Sequence, residues 1–175
     1  MTETIGSAAS QTPSGGLRYR RNIRAEDLKA VRELVQATGF FNSAETEIAV
    51  ELVQERLAKG AASGYEFVLA ESGGSLAGYA CYGSIAGTQE SHDLYWIVVH
   101  PDLQGKGLGS AMLKETEGCI ASAGGRRIYV ETSSRAQYAP TRAFYARCGY
   151  REEARLADFY APGDGKVIFV KVLGL

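Results

Sequence analysis

The feature that most constrains this chain is a glycine-spaced turn between a strand pattern and a helix pattern. An apolar run over residues 94–99 predicts a buried central strand, and a helical pattern begins at Leu108. Between them the sequence reads Gln104-Gly105-Lys106-Gly107-Leu108-Gly109. Backbone N–H groups in such a turn have no partner inside the helix, and the helix dipole adds partial positive charge there. The turn therefore predicts a phosphate or pyrophosphate site, which glycine lets the backbone approach closely.

Two common phosphate-binding motifs do not fit this turn. A Walker loop needs Gly-x-x-x-x-Gly-Lys-Ser/Thr, which the sequence lacks. A dinucleotide fingerprint needs Gly-x-Gly-x-x-Gly on the first strand, whereas here Gly-x-Gly-x-Gly follows the fourth predicted strand. A nucleotide-binding regulator is therefore a weaker hypothesis, and a plain tight turn before a helix is the structural alternative.

The rest of the chain predicts an α/β domain with the element order β-α-α-β-β-β-α-β-α-β-β. Asn42 and Glu45 predict a capping box at the start of the second helix. Ile48, Leu52, Val53 and Leu57 are the predicted apolar face of that helix. Predicted strands cover residues 17–23, 65–70, 76–85, 94–99, 127–132, 150–159 and 166–173, and residues 162–165 form the predicted last turn. The expected sheet is mixed and mostly antiparallel, with seven strands, four flanking helices and one βαβ crossover.

Charge and hydropathy argue against a nucleic-acid partner and against a membrane-spanning segment. Lysine and arginine total 19 and aspartate and glutamate 20, giving a net charge of -1, which argues against a nucleic-acid partner. No apolar run approaches the roughly 20 residues of a membrane helix, so no membrane span is expected. Residues 1–16 are rich in Ser, Thr, Gly and Ala and lack a signal-peptide pattern. They are interpreted as a flexible tail before a single domain over residues 17–175.

Three widely spaced cysteines favour reduced thiols. Cys81, Cys119 and Cys148 fit neither a disulfide framework nor a zinc site. They are interpreted as buried small apolar residues, which predicts a cytoplasmic protein that needs no metal.

A second motif, further along the chain, supports a more specific assignment than the glycine turn alone. It reads Phe144-Tyr145-Ala146-Arg147-Cys148-Gly149-Tyr150 at the end of the last predicted helix. Together with the glycine turn, which follows Val99-His100-Pro101, it resembles the GNAT superfamily of acetyl-CoA-dependent N-acetyltransferases. The resemblance covers about residues 17–173 and implies the GNAT fold, with acetyl-CoA as co-substrate.

The resemblance also implies cofactor contacts, mostly through the main chain. The pyrophosphate would lie on the turn, and the pantetheine arm would add to the end of the preceding strand as an extra strand. The residues concerned are Ile97, Val98, Val99, Gln104, Gly105, Lys106, Gly107, Leu108, Gly109 and Ser110. Tyr138 stands where many family members have a cofactor-contacting asparagine. It is assigned to the cofactor site, with stacking of its ring as one option and no cofactor contact as the other. Arg142 is expected either to reach the 3′-phosphate or to be an exposed helix arginine.

For chemistry, the resemblance implies direct attack of an amine on the thioester. Tyr145 would be the general acid that protonates the leaving thiolate, with a core tyrosine as the alternative. Glu131 is the first candidate for the general base and Asp93, also placed in the substrate site, the second. For both carboxylates the alternative is a solvated strand end.

The acceptor site is expected between the loop after the first helix and the last hairpin. Phe40, Phe41 and Tyr160, with acids nearby, favour a small cationic amine such as a free amino acid. Two alternatives remain open, namely a peptide or protein N-acetyltransferase and a catalytically silent acyl-CoA sensor. A homodimer through an edge strand is also left open.

Overall fold

The computed structural model describes residues 16–174 as a seven-stranded sheet flanked by four α-helices. The strands are β1 (Arg18–Arg20), β2 (Glu66–Ser72), β3 (Ser75–Ser84), β4 (Ser91–Val99), β5 (Arg127–Ser133), β6 (Arg151–Ala161) and β7 (Asp164–Val172). The helices are α1 (Asp27–Ala37), α2 (Ser43–Lys59), α3 (Leu108–Ser122) and α4 (Ala139–Arg147). The predicted tail, residues 1–16, lies outside the described residues except for Gly16.

The strand order is β1-β2-β3-β4-β5-β7-β6, and every neighbouring pair is antiparallel except β4 and β5. Helix α3 connects these two parallel strands, as a crossover connection requires. The predicted α/β class, element order and single crossover are thus confirmed.

Two apolar clusters hold the layers together, one on each face of the sheet. Helices α1 and α2 bury Val31, Val35 and Val53 against Phe67 and Tyr79 of the sheet. On the other face, helices α3 and α4 pack on the sheet through a separate set of buried residues, including Met112, Leu113, Ile120, Tyr145, Ile128 and Val130. Strand β4 contributes to both clusters, through Leu94 on one face and Val98 on the other, so a gap beside it is lined by both layers.

The start of α2 matches its prediction, whereas its predicted apolar face is confirmed only at Leu52 and Val53. Asn42 Oδ1 accepts from the Glu45 backbone N–H at 2.9 Å, and Glu45 Oε2 accepts from the Asn42 N–H at 2.8 Å, so the capping box is confirmed. Ile48 and Leu57 of the predicted apolar face are 49% and 39% exposed. The buried set is Thr46, Ala49, Val50 and Val53. This set has the same helical spacing but smaller side chains, which allow α2 to pack closely on its neighbours.

The last hairpin is tighter than predicted. Asp164 and Gly165 were expected in the turn, yet they begin β7. Asp164 is consequently held at the start of β7, beside the end of β5, where Ser133 pairs with Lys166. This difference places a buried carboxylate next to the site described below.

No helix within residues 16–174 is both long and apolar enough to cross a membrane.

Candidate active site

A cleft opens where β4 and β5 part. The two strands pair only at Ser91–Arg127, His92–Ile128 and Asp93–Tyr129. Beyond Asp93, β4 continues along β3 and β5 continues along β7, and a bulge between Cys81 and Tyr82 shifts the β3–β4 register. The facing edges of two central strands are left open to a cleft of about 1020 Å³. This volume suits a large ligand, and the open strand edges can pair with an extended one.

The glycine turn lies at one end of this cleft. Gly105 and Gly107 have φ values of +71° and +86°, a region that favours glycine. Gly107 is the N-cap of α3 and no side chain caps the helix. Among residues 16–174, no acceptor lies within hydrogen-bonding distance of the backbone N–H groups of residues 105–110. A Cβ built on either glycine meets no atom within 4 Å, so the donors face open space, as a pyrophosphate site needs.

The structure brings most of the predicted cofactor residues to the cleft. Lys106 and Leu108 do not line it, and the side chain of Leu108 is in the core. The Gln104 side chain donates to the Val99 carbonyl at 3.0 Å and so ties the turn to the end of β4. The predicted residues that line the cleft are Ile97, Val98, Val99, Gln104, Gly105, Gly107, Gly109, Ser110 and Tyr138.

Arg142 is not brought to the cleft. Its Nη1 donates to the carbonyl oxygens of Ser133 at 2.7 Å and Arg135 at 3.0 Å. The guanidinium therefore ties helix α4 to the loop that follows β5. A contact with the 3′-phosphate stays a prediction for this residue.

Tyr145 forms part of the cleft wall from the α4 side. Its ring packs against those of Phe144, Tyr150 and Phe169, with centroids 5.3, 5.6 and 6.0 Å away. Its hydroxyl makes no hydrogen bond to any other described residue. Burial raises the pKa of Tyr145 above that of an ordinary tyrosine. The phenol thus stays protonated at neutral pH and has a proton to donate.

Glu131 and Asp93 occupy different positions near the point where the strands part. Glu131 lines the cleft and its Oε2 lies 2.5 Å from the Lys166 ammonium. Asp93 forms the last β4–β5 pair, does not line the cleft, and is half-buried. Burial and the Glu131 carboxylate raise the pKa of Asp93, and Lys166 opposes this. Of the two candidate bases, only Glu131 reaches the cleft directly.

Aromatic side chains form the wall on the α1–α2 face. The Phe40 ring packs edge-on against Tyr138 with centroids 4.8 Å apart. Phe41 lies 4.9 Å from Trp96 and 5.3 Å from Phe40. Tyr160 of the last hairpin also lines the cleft. The predicted acceptor residues Phe40, Phe41 and Tyr160 are therefore together, whereas Asp93 lies apart.

The cleft wall also contains residues that the sequence reasoning missed, among them Trp96, Ser133, Arg135 and Asp164. The alternation of β4 could have indicated Trp96, because it lies on the same face as Val98 and opposite Ile97. No local signal indicates the other three. They meet only because β5 pairs with β7 in one particular register.

Comparisons with known proteins agree with this architecture. Residues 63–152 match a protein family described as acetyltransferase (GNAT) domain. A crystal structure from Desulfovibrio desulfuricans, of a protein assigned to the GNAT acetyltransferases, is 45% identical, with a TM-score of 0.89, over 91% of this chain and 100% of that one. No curated protein matches the sequence.

More distant structures share the fold. An aminoglycoside 6′-N-acetyltransferase solved with coenzyme A is 17% identical, with a TM-score of 0.71, over 89% of this chain and 96% of that one. The ribosomal-protein-S18-alanine N-acetyltransferase of Escherichia coli is 21% identical, with a TM-score of 0.71, over 91% and 96% of the two chains.

Proposed function

Because this chain belongs to the GNAT family of acetyltransferases, we propose that it transfers the acetyl group of acetyl-CoA to a primary amine of a small molecule. One observation carries the proposal. A turn whose six backbone N–H groups, residues 105–110, have no partner within the described part of the chain opens into the cleft between the parted strands. Tyr145 lies in the wall of that cleft. The aminoglycoside acetyltransferase of the same fold was solved with coenzyme A, which supports this choice of co-substrate.

Each part of the cleft has a separate task in this proposal. The turn N–H groups bind the pyrophosphate, and the open edges of β4 and β5 hold the extended pantetheine arm. Acetyl-CoA supplies an acetyl group activated as a thioester. The aromatic wall of Phe40, Phe41 and Trp96 takes the apolar part of the acceptor.

The acceptor must lose a proton before it reacts. An alkylamine has a pKa of about 10.4, so at neutral pH most of it is an ammonium ion. Glu131 accepts this proton, directly or through water, because it is the candidate carboxylate that lines the cleft. Glu131 passes this first proton to solvent. The neutral nitrogen then forms a bond to the acetyl carbon and loses a second proton, again through Glu131, while the carbon–sulfur bond breaks with its electron pair on sulfur.

Tyr145 donates its proton to that sulfur. Its own pKa is raised by burial, which alone would weaken it as an acid. The same dry surroundings also destabilise a thiolate and so make the sulfur more basic, as the raised pKa of the buried Cys81 thiol shows within this protein. Burial thus favours the neutral thiol as product, and solvent returns the proton to Tyr145 after release.

The test is release of free thiol from acetyl-CoA with a panel of amines, amino acids, polyamines and peptides. Turnover with one or more small amines is the expected result. Turnover with peptides only would replace the small-molecule proposal by the peptide alternative. Tight CoA binding without thiol release from any acceptor would favour the silent acyl-CoA sensor.

We expect Glu131→Gln to lower kcat/KM at pH 7 by about 10²-fold, the lower end of the usual value of a general base. The loss should shrink as pH approaches the pKa of the amine, because the acceptor then arrives already deprotonated. A pH profile of kcat/KM for the wild type and the variant measures this. Glu153→Gln, an exposed carboxylate on β6, is the control. A larger loss in Asp93→Asn than in Glu131→Gln would transfer the role to Asp93.

A cytoplasmic location is also part of the proposal. Cys81, Cys119 and Cys148 are free thiols in the structure, and unpaired cysteines are typical of a reducing compartment.

A further inference from the structure

Arg135 lies at the acceptor side of the cleft and has donors to spare. It follows β5 directly and lines the cleft, and its side chain is 49% exposed. Its Nε lies 3.1 Å from Asp164 Oδ2 and 3.4 Å from Ser133 Oγ. Its two terminal amino groups donate no hydrogen bond to any other residue in the described part of the chain. The outer edge of the guanidinium is thus available for a planar anion.

The side chain of Arg135 is held in place from two sides. Asp164 is 12% exposed and accepts from Ser133 Oγ at 2.5 Å, so this carboxylate is itself fixed. The guanidinium carbon lies 5.6 Å from the centroid of the Tyr138 ring, and the Phe40 ring packs edge-on against the same tyrosine. Arg135 is therefore preorganised, which lowers the entropy lost when it binds a ligand.

The contacts of Arg135 place it on the face of the sheet opposite the glycine turn and helix α3. Ser133 and Glu131 alternate with Val130 and Thr132 along β5, and Val130 packs in the cluster under α3 and α4. Ser133 thus lies on the face that carries Phe40. Arg135 lies on the same face, because its Nε donates a hydrogen bond to Ser133 Oγ. An anion bound by Arg135 is consequently part of the acceptor and not the pyrophosphate at the start of α3.

This face of the cleft carries charges of both signs. Lys166 pairs with Glu131 at 2.5 Å and lies 3.8 Å from the Phe159 ring centroid. Arg135 pairs with Asp164 at 3.1 Å. Glu45 of the α2 capping box also lines the cleft. Carboxylates beside the free edge of the Arg135 guanidinium suit a ligand that carries both signs of charge.

We propose that Arg135 binds a carboxylate of the acceptor, so that the acceptor is a small amino acid-like zwitterion. Asp164 acts as the positioning residue that leaves the terminal amino groups of Arg135 free. The inference rests on the proposed acetyl transfer and adds the chemical class of its substrate.

The experiment compares paired acceptors. Each amino acid of a panel is assayed beside its carboxamide, which keeps the amine and the side chain but lacks the carboxylate. For Arg135→Gln we expect kcat/KM to fall by about 10- to 100-fold with the amino acids, since a hydrogen-bonded charge contact contributes about 1.5–3 kcal/mol. With the carboxamides it should stay near the wild-type value. Taking the variant-to-wild-type ratio for each acceptor removes the difference in basicity between the two amines.

Two further variants sharpen the result. Arg135→Lys keeps the charge but loses the two-pronged geometry, so an intermediate loss with amino acids is expected. Arg147→Gln removes another cleft-lining arginine, on α4, and should change both acceptor classes equally. An equal loss with both classes in Arg135→Gln, or no loss with either, overturns the proposal.

Failure of acetyl transfer itself is recognised separately. If the wild type releases no thiol with any amine, amino acid binding to the CoA-loaded protein is measured by titration calorimetry. Binding that Arg135→Gln abolishes would support the carboxylate site even though the acetyl-transfer proposal had failed. An absence of binding, or binding unaffected by the variant, would overturn the carboxylate site as well.

Discussion

Replacing Tyr145 by phenylalanine is expected to lower kcat by about 10²- to 10⁴-fold, the usual value of a positioned general acid. The ring keeps its contacts with Phe144, Tyr150 and Phe169, so only the hydroxyl is lost. Affinity for CoA and thermal stability should change little. Single-turnover kinetics with acetyl-CoA and the best acceptor measure the effect on the chemical step.

The matched control is Tyr150→Phe. Tyr150 is a buried neighbour of Tyr145, and its hydroxyl has no hydrogen-bond partner among the described residues. Removing a buried unpartnered hydroxyl leaves turnover unchanged and does not destabilise the fold. Equal turnover in Tyr145→Phe and the wild type would show that Tyr145 is a core residue beneath the cofactor.

Burial of Tyr145 also gives the pH dependence a definite sign. Because its pKa lies above that of an ordinary tyrosine, the acid form persists up to and beyond about pH 10. Any decline of wild-type kcat between pH 7 and pH 9 therefore comes from another group.

The second large effect is expected at the glycine turn. Gly107→Glu places a carboxylate at the N-terminus of α3, where the pyrophosphate is proposed to bind. Two like charges about 4 Å apart near a protein surface repel by about 4 kcal/mol. The Kd for CoA should accordingly rise by at least about 100-fold, measured by titration calorimetry.

Two variants separate this repulsion from backbone strain. Gly107→Ala adds a Cβ at φ +86° without charge, which costs roughly 1–2 kcal/mol of stability and should weaken binding far less. Gly118→Glu makes the same charge change on the exposed side of the same helix, where a Cβ also meets nothing within 4 Å. If Gly107→Glu binds CoA as tightly as Gly118→Glu, the pyrophosphate does not lie on this turn.

Local patterns were sufficient to predict the fold, and their limits are visible in α2. The capping box needs only Asn42 and Glu45, three residues apart, so the sequence defines it. The buried face of that helix depends on what packs against it. The pattern that includes Ile48 and Leu57 competes with one of smaller side chains that includes Ala49 and Val50, and only the tertiary packing decides between them.

The residues of the candidate site also fall into a group that the sequence predicts and a group that depends on tertiary structure. The glycine turn and Tyr145 lie within contiguous motifs, so their positions follow from the motif and the order of elements. Arg135 and Asp164 are 29 residues apart in sequence and meet because β5 and β7 are paired and because β7 begins earlier than the turn pattern suggests. The register between β5 and β7 cannot be inferred from a local sequence pattern. The residues proposed to bind the acceptor were therefore not predictable.

The separation of β4 and β5 also links ligand binding to the unfolding free energy of the whole domain. Strands β1–β4 come from the first part of the chain and β5–β7 from the last, and three residue pairs join these two groups across the sheet. A ligand that hydrogen-bonds to both open edges adds main-chain bonds across the joint. Its binding free energy then becomes part of the unfolding free energy of both groups of strands. If the proposed co-substrate pairs with both edges, it acts as a transient eighth strand. The domain is then least stable between product release and the next binding event.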